Sequence, residues 1–185
     1  LTLVAPFEAD VRSHTELPPD EDLSQFAAVF LTEVPRLDEP VLASLREYVA
    51  GGGLLVYFAA PSTEINPWNA AALLPTTLKG VVQAAEDERP RPARDVTGAD
   101  RLGAGLSWVL IRRMFEMDPA TDARVVATTT AGRPFLVRGR IGQGNVYTFA
   151  VSARDDFSNL PKRFVFIVLV RRMMTTHLAQ VGQPL

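Results

Sequence analysis

Three features of the sequence predict an α/β fold with a parallel βαβ core and a C-terminal antiparallel meander. Residues 27–31 and 54–58 are apolar at every position, as expected of strands covered on both faces. Between them Val41, Leu42, Leu45, Tyr48 and Val49 recur on one face at helical spacing. Beyond Trp108 the apolar residues alternate, which is the pattern of strands.

The elements follow in order. Leu1, Leu3, Ala5, Phe7, Ala9 and Val11 alternate, predicting a half-buried strand that Pro6 places at an edge. Residues 13–25 are polar, with Pro18, Pro19 and an acidic cluster at Asp20, Glu21 and Asp22, and read as a loop. The βαβ unit covers residues 27–59, with a right-handed connection. Asp38 caps its helix and Pro40 lies in the first turn, where the missing N–H costs nothing. Gly51, Gly52 and Gly53 end it through a left-handed residue. A short helix follows within 61–74, with Asn66 as cap and Pro67 at its first position. From 75 to 105 the pattern fades, and the charged, proline-rich run 86–95 reads as an exposed loop. Strands are then expected from Trp108, and over 124–129, 134–138 and 145–151. Ala131-Gly132 and Gly142-Gln143-Gly144 supply turns. Ser158 or Asn159 caps a last helix ending near Ala179. Its first half is apolar nearly all round and is expected to be well buried.

A chain of 185 residues, 47% hydrophobic and 22% charged, is expected to be a single folded domain spanning 1–185. A net charge of -2 with scattered basic residues gives no basis for nucleic-acid binding. The absence of cysteine excludes disulfides, thiolate nucleophiles and cysteine metal sites. The longest apolar run, 164–170, is too short to span a bilayer, and no signal peptide is visible. Because Leu1 begins in strand-like sequence, the chain reads as a segment excised from a longer protein.

The motifs that invite chemistry are sparse. A phosphate cradle needs glycines between a strand and a helix N-terminus, whereas Gly51, Gly52 and Gly53 follow a helix and precede a strand. Gly103-Ala104-Gly105 and Gly142-Gln143-Gly144 lack the third glycine of a dinucleotide fingerprint. His14 and His177 have no partner at metal-ligand spacing and read as lone surface histidines. No metal site and no cofactor are expected. Ser152 and Ser158 flank Arg154, Asp155 and Asp156, either as a loop that caps the last helix or as a small polar site at a strand end. Trp68 and Trp108 read as core or partner contacts, with sugar stacking as the alternative.

Three stretches carry a family resemblance: AVFLTEVPRL at 28–37, LREYVAGGGLLV at 45–56, and RIGQGNVYTF at 140–149 with DFSNLP at 156–161. In this order they resemble the class I glutamine-amidotransferase-like domain of large bacterial membrane proteins. Those proteins also carry an aerotolerance-regulator-type N-terminal region and a von Willebrand factor A-like domain. The likeness spans 27–175 without placing 80–107. It implies a flavodoxin-like sheet with helices on both sides. It also implies a place in the bacterial cell envelope, as a soluble domain anchored through segments outside this chain. Enzymes of this kind set a cysteine in the turn after the strand matching 54–58, where this chain has Phe58-Ala59-Ala60-Pro61. They set a histidine and a glutamate after a later strand, where it has Phe149-Ala150-Val151-Ser152. No catalytic residue carries over.

The reading that follows is a non-catalytic binding or interaction domain whose partners are proteins or other domains of the same chain. Any ligand is expected at the carboxyl ends of the strands, at Thr32, Glu33, Pro61, Ser62, Ser152 and Arg154. Two alternatives remain open at this point. One is a hydrolase using Glu33, Asp155 and Asp156. The other is a carbohydrate-binding module using Trp68 or Trp108.

Overall fold

The computed structural model describes residues 8–18, 20–93 and 105–180. Its central sheet has six strands, built as a parallel half joined to an antiparallel half. β1 (Val29–Thr32), β2 (Leu54–Phe58) and β8 (Gly144–Phe149) are parallel neighbours. β7 (Pro134–Ile141), β6 (Arg124–Thr129) and β4 (Pro90–Pro92) continue from β8, each antiparallel to the last. The order is β1-β2-β8-β7-β6-β4. β2 and β8 are buried at every position, as the uninterrupted apolar run of β2 requires.

α1 (Glu39–Ala50) joins β1 to β2 and buries the five residues whose spacing predicted it. Asp38 occupies the cap position, but its side chain makes no capping bond. The helix stops where Gly52 takes φ 115, a left-handed backbone that glycine alone adopts without strain. α2 (Ile65–Ala71) begins before the expected cap at Asn66. α3 (Phe164–Gln180) ends the described chain. Successive strand residues point to opposite faces, so neighbours on β2 report what covers each side. Tyr57 packs on Trp68 of α2 with ring centroids 4.4 Å apart, and Phe58 meets Phe166 of α3 at 5.8 Å. α2 and α3 therefore cover opposite faces.

Four expectations need correction. The strand expected over 1–11 lies mostly outside the described residues, and its described part, 8–11, is exposed and carries no strand. The stretch where the pattern fades holds β3 (Thr76–Gln83), which pairs antiparallel with β5 (Arg113–Pro119) in a separate two-stranded sheet. Burial along β3 alternates, but Thr76 and Gly80 stand on its inner side and Val81 faces outward, so the residue types hide the pattern. The run 86–95 is not simply a solvated loop. It contains edge strand β4, where prolines are tolerated, and the buried side chain of Glu88. Finally, the first half of α3 is not well buried: Phe164, Ile167 and Val168 face outward.

Candidate functional site

The carboxyl ends of β1, β2 and β8 bring a polar group together. Glu33 follows β1 with φ 57, a left-handed backbone that strains a residue bearing a Cβ. Its Oε2 lies 3.8 Å from Arg154, while its Oε1 is buried without a hydrogen-bond partner among the described residues. Burial raises the Glu33 carboxyl above its ordinary range. Arg154 opposes that shift and the charge of Asp156 adds to it.

The turn after β2 is tight and internally bonded. Ala59 donates its amide to the Phe149 carbonyl at 3.2 Å, and Ala60 donates its own to Thr63 Oγ1 at 2.9 Å. Thr63 Oγ1 also meets the Tyr57 hydroxyl at 2.8 Å. Burial raises the Tyr57 pKa, the Thr63 bond opposes this, and the Glu33 charge adds to it. Trp68 donates from Nε1 to the Pro35 carbonyl at 2.9 Å, which pins the backbone just beyond Glu33. After β8, Ser152 Oγ bonds to Asp156 Oδ1, and the Phe157 amide donates to the same oxygen at 3.0 Å.

Of the residues expected at this edge, the structure joins Glu33 to Arg154 and ties buried Ser152 to Asp156. Thr32, Pro61 and Ser62 are exposed at the same strand ends, and no bond among the described residues draws Ser62 into the cluster. Asp155 turns outward to pair with Lys162. Tyr57, Thr63 and the strain at Glu33 were missed. Tyr57 lies inside an apolar run that hides its hydroxyl, and backbone strain has no sequence signature in a non-glycine residue.

The amides of Ala59 and Ala60 are both taken, so neither is a free donor for an oxyanion. Beyond β2 stand the methyls of Ala59 and Ala60, and beyond β8 the apolar side chains of Ala150 and Val151, all buried. Glu33 thus holds one buried acceptor oxygen with no partner among the described residues and turns the other toward a cationic donor. Among the described residues, no three His, Cys, Asp or Glu converge in a way that would hold a metal ion.

His177 is not a surface histidine. It is buried, and its Nδ1 lies 3.0 Å from Asn145 Nδ2. Arg138 donates to Asn145 Oδ1 at 2.9 and 2.7 Å, which turns the amide so that Nδ2–H donates to the ring. The imidazole is thus the neutral Nε2–H tautomer, and it also bonds to the Gly52 backbone. His14 is exposed in a short 3-10 turn. Trp68 is 1% exposed and unavailable for sugar stacking, whereas Trp108 is 68% exposed. A cleft of about 310 Å³ opens beside α2, lined by Trp68, Asn69, Pro75, Thr76, Gly139 and Arg140, and none of the residues expected at the strand-end edge lines it.

No family model and no curated protein matches the chain. Solved structures do. A cytoplasmic protein of Salmonella typhimurium aligns with TM-score 0.66 at 17% identity, over 91% of this chain and 76% of that one. A second cytoplasmic protein, from Salmonella typhimurium LT2, gives 0.62 at 16% identity, over 78% and 67%. The β-galactosidase of Bacillus circulans sp. alkalophilus gives 0.61 at 17% identity; it covers 90% of this chain, which spans only 24% of that enzyme. At these identities the likeness shows the fold alone, a mixed α/β sheet. The envelope location implied by the family resemblance is overturned. The two Salmonella proteins are described as cytoplasmic.

Proposed function

We propose that this chain is a non-catalytic binding domain. In this reading its sheet is flavodoxin-like, of the class I glutamine-amidotransferase-like kind, with the strand-end edge kept for recognition. The observation that carries it is the turn after β2. Its two alanines hold no reactive group, and their amides are spent on Phe149 and Thr63. Acyl transfer needs a nucleophile, a base and oxyanion donors, and this edge lacks a set of them.

Glu33 supports a recognition role. Strained backbone and an unpaired buried oxygen both cost stability, and such features cluster where a ligand or partner is met. The occupant is a protein or another domain of the same chain, or a small polar ligand that donates to Glu33 and accepts from Arg154. The β-galactosidase likeness, confined to a quarter of that enzyme, is consistent with a domain that works beside others.

Hydrolysis by carboxylates is the second reading, favoured by the raised pKa of Glu33 and the nearby charge of Asp156. It ranks below the first because Asp156 is already held by Ser152 and the Phe157 amide. The test is an assay of the purified chain with glutamine, activated esters and nitrophenyl glycosides, beside Ser62→Ala, Glu33→Gln and Asp156→Asn. No turnover above background is expected. Turnover lost in Ser62→Ala establishes acyl transfer instead, and turnover lost in Glu33→Gln or Asp156→Asn establishes the hydrolase.

A further inference from the structure

We propose that the outer face of α3 is a docking surface for an acidic amphipathic helix of a partner protein. Phe164, Ile167 and Val168 are 78%, 62% and 37% exposed and lie at helical spacing on one face. Singly exposed apolar residues are ordinary, but three large ones aligned on one helix are a contact surface. The helix is not loose on the fold. Its opposite face buries Val165, Leu169, Met173 and His177, so the exposed stripe is held in place.

The charges around the stripe choose the occupant. α3 contains two arginines and one histidine but no aspartate or glutamate. Arg171 continues the stripe by one turn, and Arg163 stands at its start. Both are exposed, and neither makes an ion pair among the described residues. Lys162 is paired, with Asp155. An apolar stripe with a cation at each end fits a helix that presents apolar residues along one side and carboxylates on its flanks. A second copy of this chain fits poorly, because either antiparallel or parallel pairing sets arginine against arginine. This surface stands apart from the strand-end edge and goes beyond the reading given for it.

The test is fluorescence anisotropy of the purified chain with a labelled synthetic helix bearing leucines on one face and glutamates on both flanks, beside its lysine-flanked counterpart. The glutamate peptide is expected to bind at least about tenfold more tightly than the lysine peptide, and to weaken as salt rises. Ile167→Glu, Phe164→Ser and Arg171→Glu are each expected to weaken it by about tenfold or more. All three positions are exposed, so each variant should keep the wild-type circular dichroism and melting point, and those that do carry the test. Equal binding of the two peptides, or no binding of the glutamate peptide, overturns the proposal. So does a wild-type dimer in sedimentation that Ile167→Glu converts to monomer, because the face then belongs to a second copy.

Discussion

Glu33 reaches across the strand ends to within 3.8 Å of Arg154 with one carboxylate oxygen, and buries the other with no partner among the described residues. The residue is thus attracted to its neighbour without being satisfied by it. Burial, the largest influence on its pKa, outweighs the attraction of a mostly exposed guanidinium.

This has a consequence for stability. A carboxyl whose folded pKa lies above the unfolded value of 4.5 holds its proton longer in the folded state. As pH rises from there, the unfolded chain ionises first and Glu33 progressively subtracts stability. Glu33→Gln is expected to melt above the wild type at neutral pH, with the difference closing below about pH 4. Melting curves at several pH values decide it, and a variant less stable at neutral pH would mean the carboxylate is structural.

Gly144 is fixed by close approach. A Cβ there would collide with the Val49 and Gly53 carbonyl oxygens, which belong to the backbone of the α1–β2 turn. Gly144→Ala is expected to cost about 3 kcal/mol or more, the upper end of overpacking, because neither neighbour has a rotamer to change. Gly51→Ala is the control. Gly51 is exposed with φ -72, so its midpoint should move by less than about 1 kcal/mol. Denaturant titrations of the two variants check the contrast.

Glu88 has a wholly buried side chain and accepts from Arg133 Nε and Nη2, one bond on each carboxylate oxygen. Burial alone would raise its pKa, but Arg133, the Thr129 hydroxyl and the Ala85 amide together hold it below the usual range. A carboxyl depressed in this way contributes stability above the unfolded pKa and loses it as pH falls through the folded value. Arg133→Met strands the buried charge and is expected to cost about 3–5 kcal/mol at neutral pH. Adding Glu88→Gln should recover part of that loss. An unchanged double mutant would show that the cost is packing and not charge.

His177 follows the same proton logic, as a base rather than an acid. Burial lowers its pKa and Arg138 adds to this, with the Gly52 bond opposing. A base depressed in the folded state contributes fully above the unfolded value of 6.5, and the contribution is lost as pH falls below it. Protonation would also set a donor on Nδ1 against the Asn145 amide donor. The melting point is expected to decline below pH 6.5 more steeply than in His177→Gln, and parallel curves would exclude this histidine as the cause.

Much of the fold was legible because burial leaves a pattern in sequence. The apolar run at 54–58, the stripe from Val41 to Val49 and the glycine stop at Gly52 each reflect a local rule, and each became the expected element; the run at 27–31 became strand β1, but at the sheet edge with Phe30 exposed and not covered on both faces. β6, β7 and β8 were equally plain, and the Gly132 and Gly142 turns between them take positive φ. β3 was missed because Thr76 and Gly80 occupy inner positions while Val81 faces outward, and β4 because prolines and charges at an edge look like loop.

At the site, the sequence by itself determined that Ala59, Ala60, Ala150 and Val151, which follow β2 and β8, carry no reactive side chain. Tertiary structure alone decided what is present. It set Glu33 beside Arg154, and it spent the Ala59 and Ala60 amides on Phe149 and Thr63. It buried His177 against Asn145, and it turned Phe164 and Ile167 outward. The physical reason is range. Helix and strand periods are set by neighbours a few residues apart, whereas these contacts join groups such as Glu33 and Arg154, or Asn145 and His177, that only the packed sheet brings within bonding distance.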